Sequence, residues 1–288
     1  MKVSQVYKDK KDKKVLSFEI FPPKKDSELN NIDETLAVLC ELEPDYISVT
    51  FGAGGSSNCN RTIELAKKIK HEYHVEPVVH LTSLHYNKAE IDEFAKVLSE
   101  AGLENVLALR GDKNPNFPEK NDFSHASDLI AYMKEKWDFC FLGACYPECH
   151  PESGGVINEI RHLKTKVNAG AEVLLSQLFF DNDIFLRFQE NCRVADINVP
   201  VIPGIMPVIN AAQIKRMITM CGVAFPARFE KIIHRYEDNK EALFDAGMSY
   251  ALSQIIDLLV SDIEGIHLYT MNNPHVARRI CEGIKNII

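Results

Sequence analysis

The chain has 288 residues, 26% of them charged and 45% hydrophobic, and its 33 Lys and Arg against 41 Asp and Glu leave a net charge of −8. Such a composition describes an ordinary globular protein with room for a large core, and it excludes disordered and fibrous classes. The acidic balance also argues against a general nucleic-acid binder, and the one basic cluster, Lys8 to Lys14, alternates with Asp9 and Asp12 and reads as a solvated face.

Residues 1–14 read as a polar lead-in. The first strand is expected over Val15–Phe21, and a helix over Glu28–Leu42 then places Leu29, Ile32, Leu36 and Leu39 on one face. Strand and helix alternate from there: Tyr46–Thr50 and Arg61–Tyr73, Val78–Leu81 and Lys88–Ala101, Asn105–Leu109 and Ser124–Lys136. Phe139–Cys145 precedes Asn158–Ala169, Val173–Gln177 precedes Asn182–Ala195, and Val201–Gly204 precedes Asn210–Met220. Extra helices are expected near Pro226–Tyr236 and Lys240–Ser261, before a last strand, Gly265–Thr270, and a last helix, Pro274–Asn286. Several strands are nearly continuous apolar runs, as parallel strands covered on both faces should be. Eight strands, each followed by a helix, predict one (β/α)8 barrel filling residues 1–288. A doubly wound open sheet is the alternative, but it opens on a Gly-rich phosphate turn, and here the first strand runs into Phe21-Pro22-Pro23.

No apolar run reaches the ~18 residues of a membrane span, and the N-terminus lacks a signal-peptide core. The expectation is a cytoplasmic protein, off the membrane, whose eight cysteines stay reduced.

Barrel chemistry sits at the carboxyl ends of the strands. Strand one carries Glu19 in an apolar run; a carboxylate there is costly unless paired or protonated, and a protonated carboxyl is a candidate general acid. A buried structural Glu bonded to a neighbouring strand is the competing reading. Strand two runs into Gly52-Ala53-Gly54-Gly55-Ser56-Ser57, a loop whose backbone can approach a ligand but which matches neither a dinucleotide fingerprint nor a P-loop. Strand three carries His80, and strand four ends Arg110-Gly111-Asp112, a phosphate partner or a loop-closing ion pair. Strand five leads to Tyr146, able to stack on a planar ring. Cys140, Cys145, Cys149 and His150 form no Cys-x-x-Cys pair, so no metal is expected, although Cys59, Cys149 and His150 lie on loops that could meet. Strand six ends at Gln177, not at the Lys of a Schiff-base aldolase, and its amide suits the edge of a heteroaromatic ring.

Six motifs now stand in order: residues 17–23 (Ser-Phe-Glu-Ile-Phe-Pro-Pro), 109–112, 144–152, 177–181, 203–207 (Pro-Gly-Ile-Met-Pro) and 267–272 (His-Leu-Tyr-Thr-Met-Asn). Each is modest alone; together, over nearly the whole chain, they resemble methylenetetrahydrofolate reductase. The resemblance implies a flavin-dependent (β/α)8 barrel of one-carbon metabolism, supplying methionine synthesis by reducing 5,10-methylenetetrahydrofolate to 5-methyltetrahydrofolate. Glu19 then matches the general acid and Asp112 the carboxylate near the flavin. FAD would be held at Thr50, His80, Arg110, Gly111, Asp112, Ala126, Ala144, Tyr146, His150, Glu159 and Lys166, with Glu159 at a ribose hydroxyl and Lys166 at the pyrophosphate. Gln177 and Gln213, with Glu19, match folate contacts. NADH or NADPH is the implied reductant.

Some positions depart from the family pattern. His125 and His162 lie where the family varies, Met217 replaces an aromatic or aliphatic residue, and Asn272-Asn273 stands where familiar bacterial members have Asn-Arg. The regulatory S-adenosylmethionine domain of animal and plant relatives is not expected. The alternative function is the same flavin barrel as one subunit of an electron-transfer complex fed by a protein donor; a non-enzymatic folate-binding barrel is a third reading, disfavoured because Glu19 and Asp112 are both kept. Homo-oligomer and hetero-complex both stay open.

Overall fold

A computed structural model of the chain describes residues 1–10, 13–23, 29–51, 56–212, 217 and 222–288, the side chains of residues 29, 30 and 56–59 excepted. The Gly52–Gly55 loop, Gln213 and most of the helix expected over Asn210–Met220 lie outside the described residues.

The elements alternate as the apolar pattern dictates. After helix α1 (Val3–Asp9) come β1 (Val15–Ile20), α2 (Leu29–Glu41), β2 (Tyr46–Val49), α3 (Ser56–His71), β3 (Glu76–Thr82), α4 (Lys88–Glu100), β4 (Asn105–Leu109) and α5 (Ala126–Lys134). Next are β5 (Cys140–Cys145), α6 (Val156–Ala169), β6 (Ala171–Ser176), α7 (Asn182–Val194), β7 (Val201–Ile202) and β8 (Gly204–Ile205). Helices α8 (Ala227–Tyr236) and α9 (Lys240–Leu259), strand β9 (Gly265–Tyr269) and helix α10 (Pro274–Ile284) complete the chain.

All strand pairs are parallel, in the order β7-β6-β5-β4-β3-β2-β1-β9-β8. The two edge strands, β7 and β8, are one segment broken at Pro203, which has no N–H to give a ladder. Its carbonyl still accepts from His267 N at 3.0 Å. One half of this segment pairs with β6 and the other with β9, so the sheet closes on itself as a (β/α)8 barrel.

Side chains alternate across the barrel wall. On β1, Leu16, Phe18 and Ile20 enter the core between sheet and helices, while Val15 belongs to the core inside the barrel. The period of two turns Ser17 and Glu19 the same way as Val15, toward the barrel axis.

The expected polar lead-in is in part a plug. Helix α1 buries Val3, Val6 and Tyr7 in the inner core with Val15, Tyr46, Val78 and Leu107. Its start is tied to the strand feet: Val3 N donates to Asn105 Oδ1 at 2.7 Å, Ser4 Oγ to Glu172 Oε2 at 2.7 Å, and Lys2 pairs with Asp138. Three apolar side chains in a short, charged segment closing the amino-terminal end of the barrel explain the difference. Lys8 and Lys13 do remain exposed. Among the described residues no helix is long and apolar enough to cross a membrane.

Candidate active site

The strand ends open into a cavity of about 1420 Å³. Single small-molecule pockets are usually ~300–1,000 Å³, so the space suits an extended ligand plus a second planar one. Its wall includes Glu19, His80, Arg110, Gly111, Asp112, Ala126, Ala144, Tyr146, His150, Glu159, Lys166 and Gln177. These come from β1, β3, β4, β5 and β6 and from the loops and helices that follow, so the barrel unites residues far apart in sequence. Thr50 is not part of that wall: its carbonyl accepts from Thr62 Oγ1 at 3.0 Å and its N–H donates to Ile20 O at 2.9 Å, a strand-end clasp.

Glu19 lies in register with Ser48 of β2 and Tyr269 of β9. Its Oε2 is 3.5 Å from His80 Nε2 and 3.7 Å from His267 Nε2, and its side chain keeps 21% of its surface exposed. Burial pushes the His80 imidazole down to about 4, further than the Glu19 charge raises it, so His80 is neutral near pH 7. Its Nε2 is buried and among the described residues has no hydrogen-bond partner, a polar atom left for a ligand.

At the β4 exit, Gly111 holds φ +89, and a Cβ there would stand 3.1 Å from Thr82 Cβ, so backbone alone fits. Arg110 forks onto Glu152, with Nη2 donating to Oε1 at 3.3 Å, which is the loop-closing ion pair of the two readings. Asp112 is exposed at the mouth, and its carbonyl lies 3.0 Å from His85 Nε2.

The β5–α6 loop is built around Glu159. This buried carboxylate accepts from His150 N at 2.9 Å. His150 Nδ1 in turn accepts from Glu152 N at 3.1 Å, which leaves a proton on Nε2. The Tyr146 ring meets the His150 ring edge to face at 4.9 Å, and burial pushes the Tyr146 phenol up to about 12. Lys166 crosses β5 over Gly143, where a Cβ would meet Lys166 Cδ at 2.6 Å. Its ammonium donates to the Ala144 carbonyl, and among the described residues no carboxylate pairs with it. Burial lowers its pKa, so an anion beside it would be welcome. Gln177 Oε1 accepts from Leu178 N at 2.8 Å, leaving its NH2 group for a ligand.

The departures now have places. His125 and His162 both line the outer cavity. Asn272, at φ +54, clamps Phe21 by accepting from its N–H at 3.0 Å and donating to its carbonyl at 2.8 Å. Asn273 caps α10, its Oδ1 accepting from His275 N and Val276 N, so it serves the helix. Cys149 and His150 belong to no group of three potential metal ligands among the described residues, and the Cys59 side chain lies outside them.

Sequence reasoning passed over His267 and Ser17 as site residues. Both sit inside motifs at positions that alternate with Glu19 and Tyr269, and polar residues at a period of two in apolar strands are the signal that marks them.

The family model for methylenetetrahydrofolate reductase matches residues 2–285. The chain belongs to that family. It is 34% identical over 269 residues to the 5,10-methylenetetrahydrofolate reductase of Escherichia coli (strain K12), covering 93% of this chain and 90% of that protein. It is 36% identical over 272 residues to the methylenetetrahydrofolate reductase (NADH) 1 of Arabidopsis thaliana, covering 89% of this chain. The chain spans 46% of that plant protein's length, a little under half. Among solved structures, an uncharacterized protein from Clostridium thermocellum, described as binding two copies of 5-methyl-5,6,7,8-tetrahydrofolic acid, shares the fold. Its TM-score is 0.66 at 14% identity, over 99% of this chain and 100% of that one.

Proposed function

We propose that this chain reduces 5,10-methylenetetrahydrofolate to 5-methyltetrahydrofolate, with FAD as resident cofactor and NADH or NADPH as reductant. The observation that carries the reading is the Glu19 carboxyl, 3.5 Å from the neutral His80 imidazole and with no Lys or Arg partner among the described residues, in a cavity too large for one small ligand, in a chain of this family.

The residues fit a flavin dinucleotide. Among the described residues Lys166 is a cation with no carboxylate partner and His80 Nε2 a buried polar atom with no hydrogen bond, while Gly111 offers backbone with no side chain. Lys166 would meet the pyrophosphate, Tyr146 and His150 would pack against planar parts, and Glu159 would hold a ribose hydroxyl while ordering its loop. Bound FAD would supply the two-electron hydride chemistry that no side chain of the barrel offers.

The protein's own part is placement and protons. Glu19 donates a proton to the folate nitrogen as the five-membered ring opens, and Asp112 at the mouth steadies the cationic folate that results. The Gln177 amide donates to the edge of the pterin ring. The Arg110–Glu152 pair fixes the two loops that frame the cavity.

Mass spectrometry of the cofactor released from purified protein, and anaerobic titration with NADH or NADPH, test this reading. FAD that is bleached by nicotinamide supports it. FMN as the sole flavin, or no flavin, overturns it. FAD that ignores both nicotinamides but accepts electrons from a protein donor points to the electron-transfer subunit instead.

A further inference from the structure

Gln177 lines the cavity from just past the end of β6, and three of its four polar groups are held by the protein. Its backbone N–H donates to Cys145 O at 2.7 Å, and its Oε1 accepts from Leu178 N at 2.8 Å. Its backbone carbonyl accepts from Ser176 Oγ at 2.9 Å. The side-chain NH2 is the group left for a ligand.

Ser176 is fully buried at the seam where the barrel closes. The β6–β7 ladder ends at Leu175 and Ile202, and beyond Pro203 the chain pairs with β9 instead, Gly204 against His267. Ser176 ties this junction with both of its oxygens. Its Oγ accepts from Gly204 N at 2.8 Å, while its one hydroxyl proton goes to the Gln177 carbonyl. Its carbonyl accepts from Tyr269 OH at 2.6 Å. The Tyr269 ring reaches it by crossing Gly204, where a Cβ would stand 2.6 Å from Tyr269 Cε2 and 2.4 Å from Ser176 O, so no side chain fits between them.

Tyr269 is in register with Glu19. The contacts from Tyr269 through Ser176 to Gln177 therefore join the strand beside Glu19 to the strand end that carries the amide. Two groups that meet one folate at different atoms need a fixed separation, because a misplacement of about 1 Å can cost a hundredfold in rate. An apolar residue at 176 could fill the seam, but it would leave the Gly204 N–H and the Gln177 carbonyl without these bonds.

We propose that Ser176 is a positioning residue for folate binding: its hydroxyl, held by Gly204, fixes the Gln177 backbone so that the amide NH2 meets the edge of the pterin. The proposal rests on the reading of Gln177 as a folate contact.

Ser176→Ala, Gln177→Ala and the double variant test it, each carrying its own flavin. The readout is the dissociation constant of 5-methyltetrahydrofolate, from anaerobic equilibrium dialysis of the reduced protein, with flavin content and thermal midpoint measured beside it. Ser176→Ala should weaken folate binding about fivefold with flavin content unchanged. In the Gln177→Ala background the same change should weaken it less than about twofold, because the group it aims is gone. Ser176→Cys fills the site with a weaker donor and acceptor. It should show a smaller loss with the same dependence on Gln177, and it carries the test where the alanine variant does not fold. A loss equal with and without Gln177 overturns the proposal, and so does a lowered thermal midpoint with folate binding unchanged; either makes Ser176 a residue of the seam alone. If Gln177→Ala by itself binds folate as tightly as the parent, the reading of Gln177 falls and the proposal falls with it. A parent protein that binds no folate at all overturns the proposal and counts against the proposed function as well.

Discussion

Replacing Glu19 by Gln separates the acid from the scaffold. Gln keeps the length and hydrogen-bonding reach of the side chain and cannot deliver a proton. The structure sets the expected cost on each side. Glu19 keeps 21% of its side-chain surface exposed and carries no Lys or Arg partner among the described residues, so the change breaks no salt bridge with a fixed cation. The thermal midpoint should move by no more than about 3 °C, the equivalent of roughly 1 kcal/mol. Flavin should stay bound, and its reduction by the donor should run near the normal rate. Folate reduction should fall by roughly 10²–10⁴, or about 2.7–5.4 kcal/mol of barrier. The assay is anaerobic stopped flow, with the reduced protein mixed with methylenetetrahydrofolate and the rate normalised to bound flavin. A loss smaller than about threefold would refute the general-acid role, because that is far below what a missing acid costs. So would a loss of flavin occupancy with turnover per flavin intact, the signature of a structural Glu.

Other outcomes follow from the same site. Asp112→Asn should retain flavin and slow folate reduction more than flavin reduction, since the carboxylate acts on a developing cation; separate half-reaction rates check this, and equal losses would make Asp112 structural. Lys166→Met should raise the thermal midpoint of cofactor-free protein, because burial disfavours the ammonium there, and should weaken FAD binding by roughly ten- to a hundredfold; calorimetry and flavin titration read the two effects. His80 gives a pH dependence. Burial pushes its imidazole from the ordinary 6.5 to about 4, so between those values the unfolded chain binds a proton the folded chain refuses. Stability is therefore full above about 6.5 and is lost as pH falls toward 4, by roughly 3 kcal/mol. Urea unfolding at the two ends of that window should show this slope in the native protein and a shallower one in His80→Gln.

The barrel was legible because its strands are long apolar runs between strongly periodic helices. Lys88–Ala101 was placed within a residue of the observed α4, whose start is set by a capping box between Asn87 and Glu90. The interrupted strand at Pro203 and the plug of α1 were not legible in the same way. The first is one strand in sequence and two in the ladder. The second is a helix of 7 residues whose burial depends on a barrel mouth made by distant strands. Candidate site residues were found wherever polarity broke an apolar strand end, as at Glu19, His80 and Gln177. His267 and Ser17 broke the same pattern one layer deeper, where a polar residue reads as filler until its partners are seen. The partners themselves, Glu152 for Arg110 and the Ala144 carbonyl for Lys166, are set by loop geometry that no spacing encodes.

The proposed activity is tested most directly by a single turnover. Protein carrying its own flavin is reduced anaerobically, freed of donor and mixed with excess 5,10-methylenetetrahydrofolate, while flavin absorbance is followed and the folate products are separated afterwards. The expected result is complete reoxidation with one 5-methyltetrahydrofolate formed per flavin. Flavin that stays reduced in the presence of the folate, yet is reoxidised at once by an artificial acceptor, would contradict it.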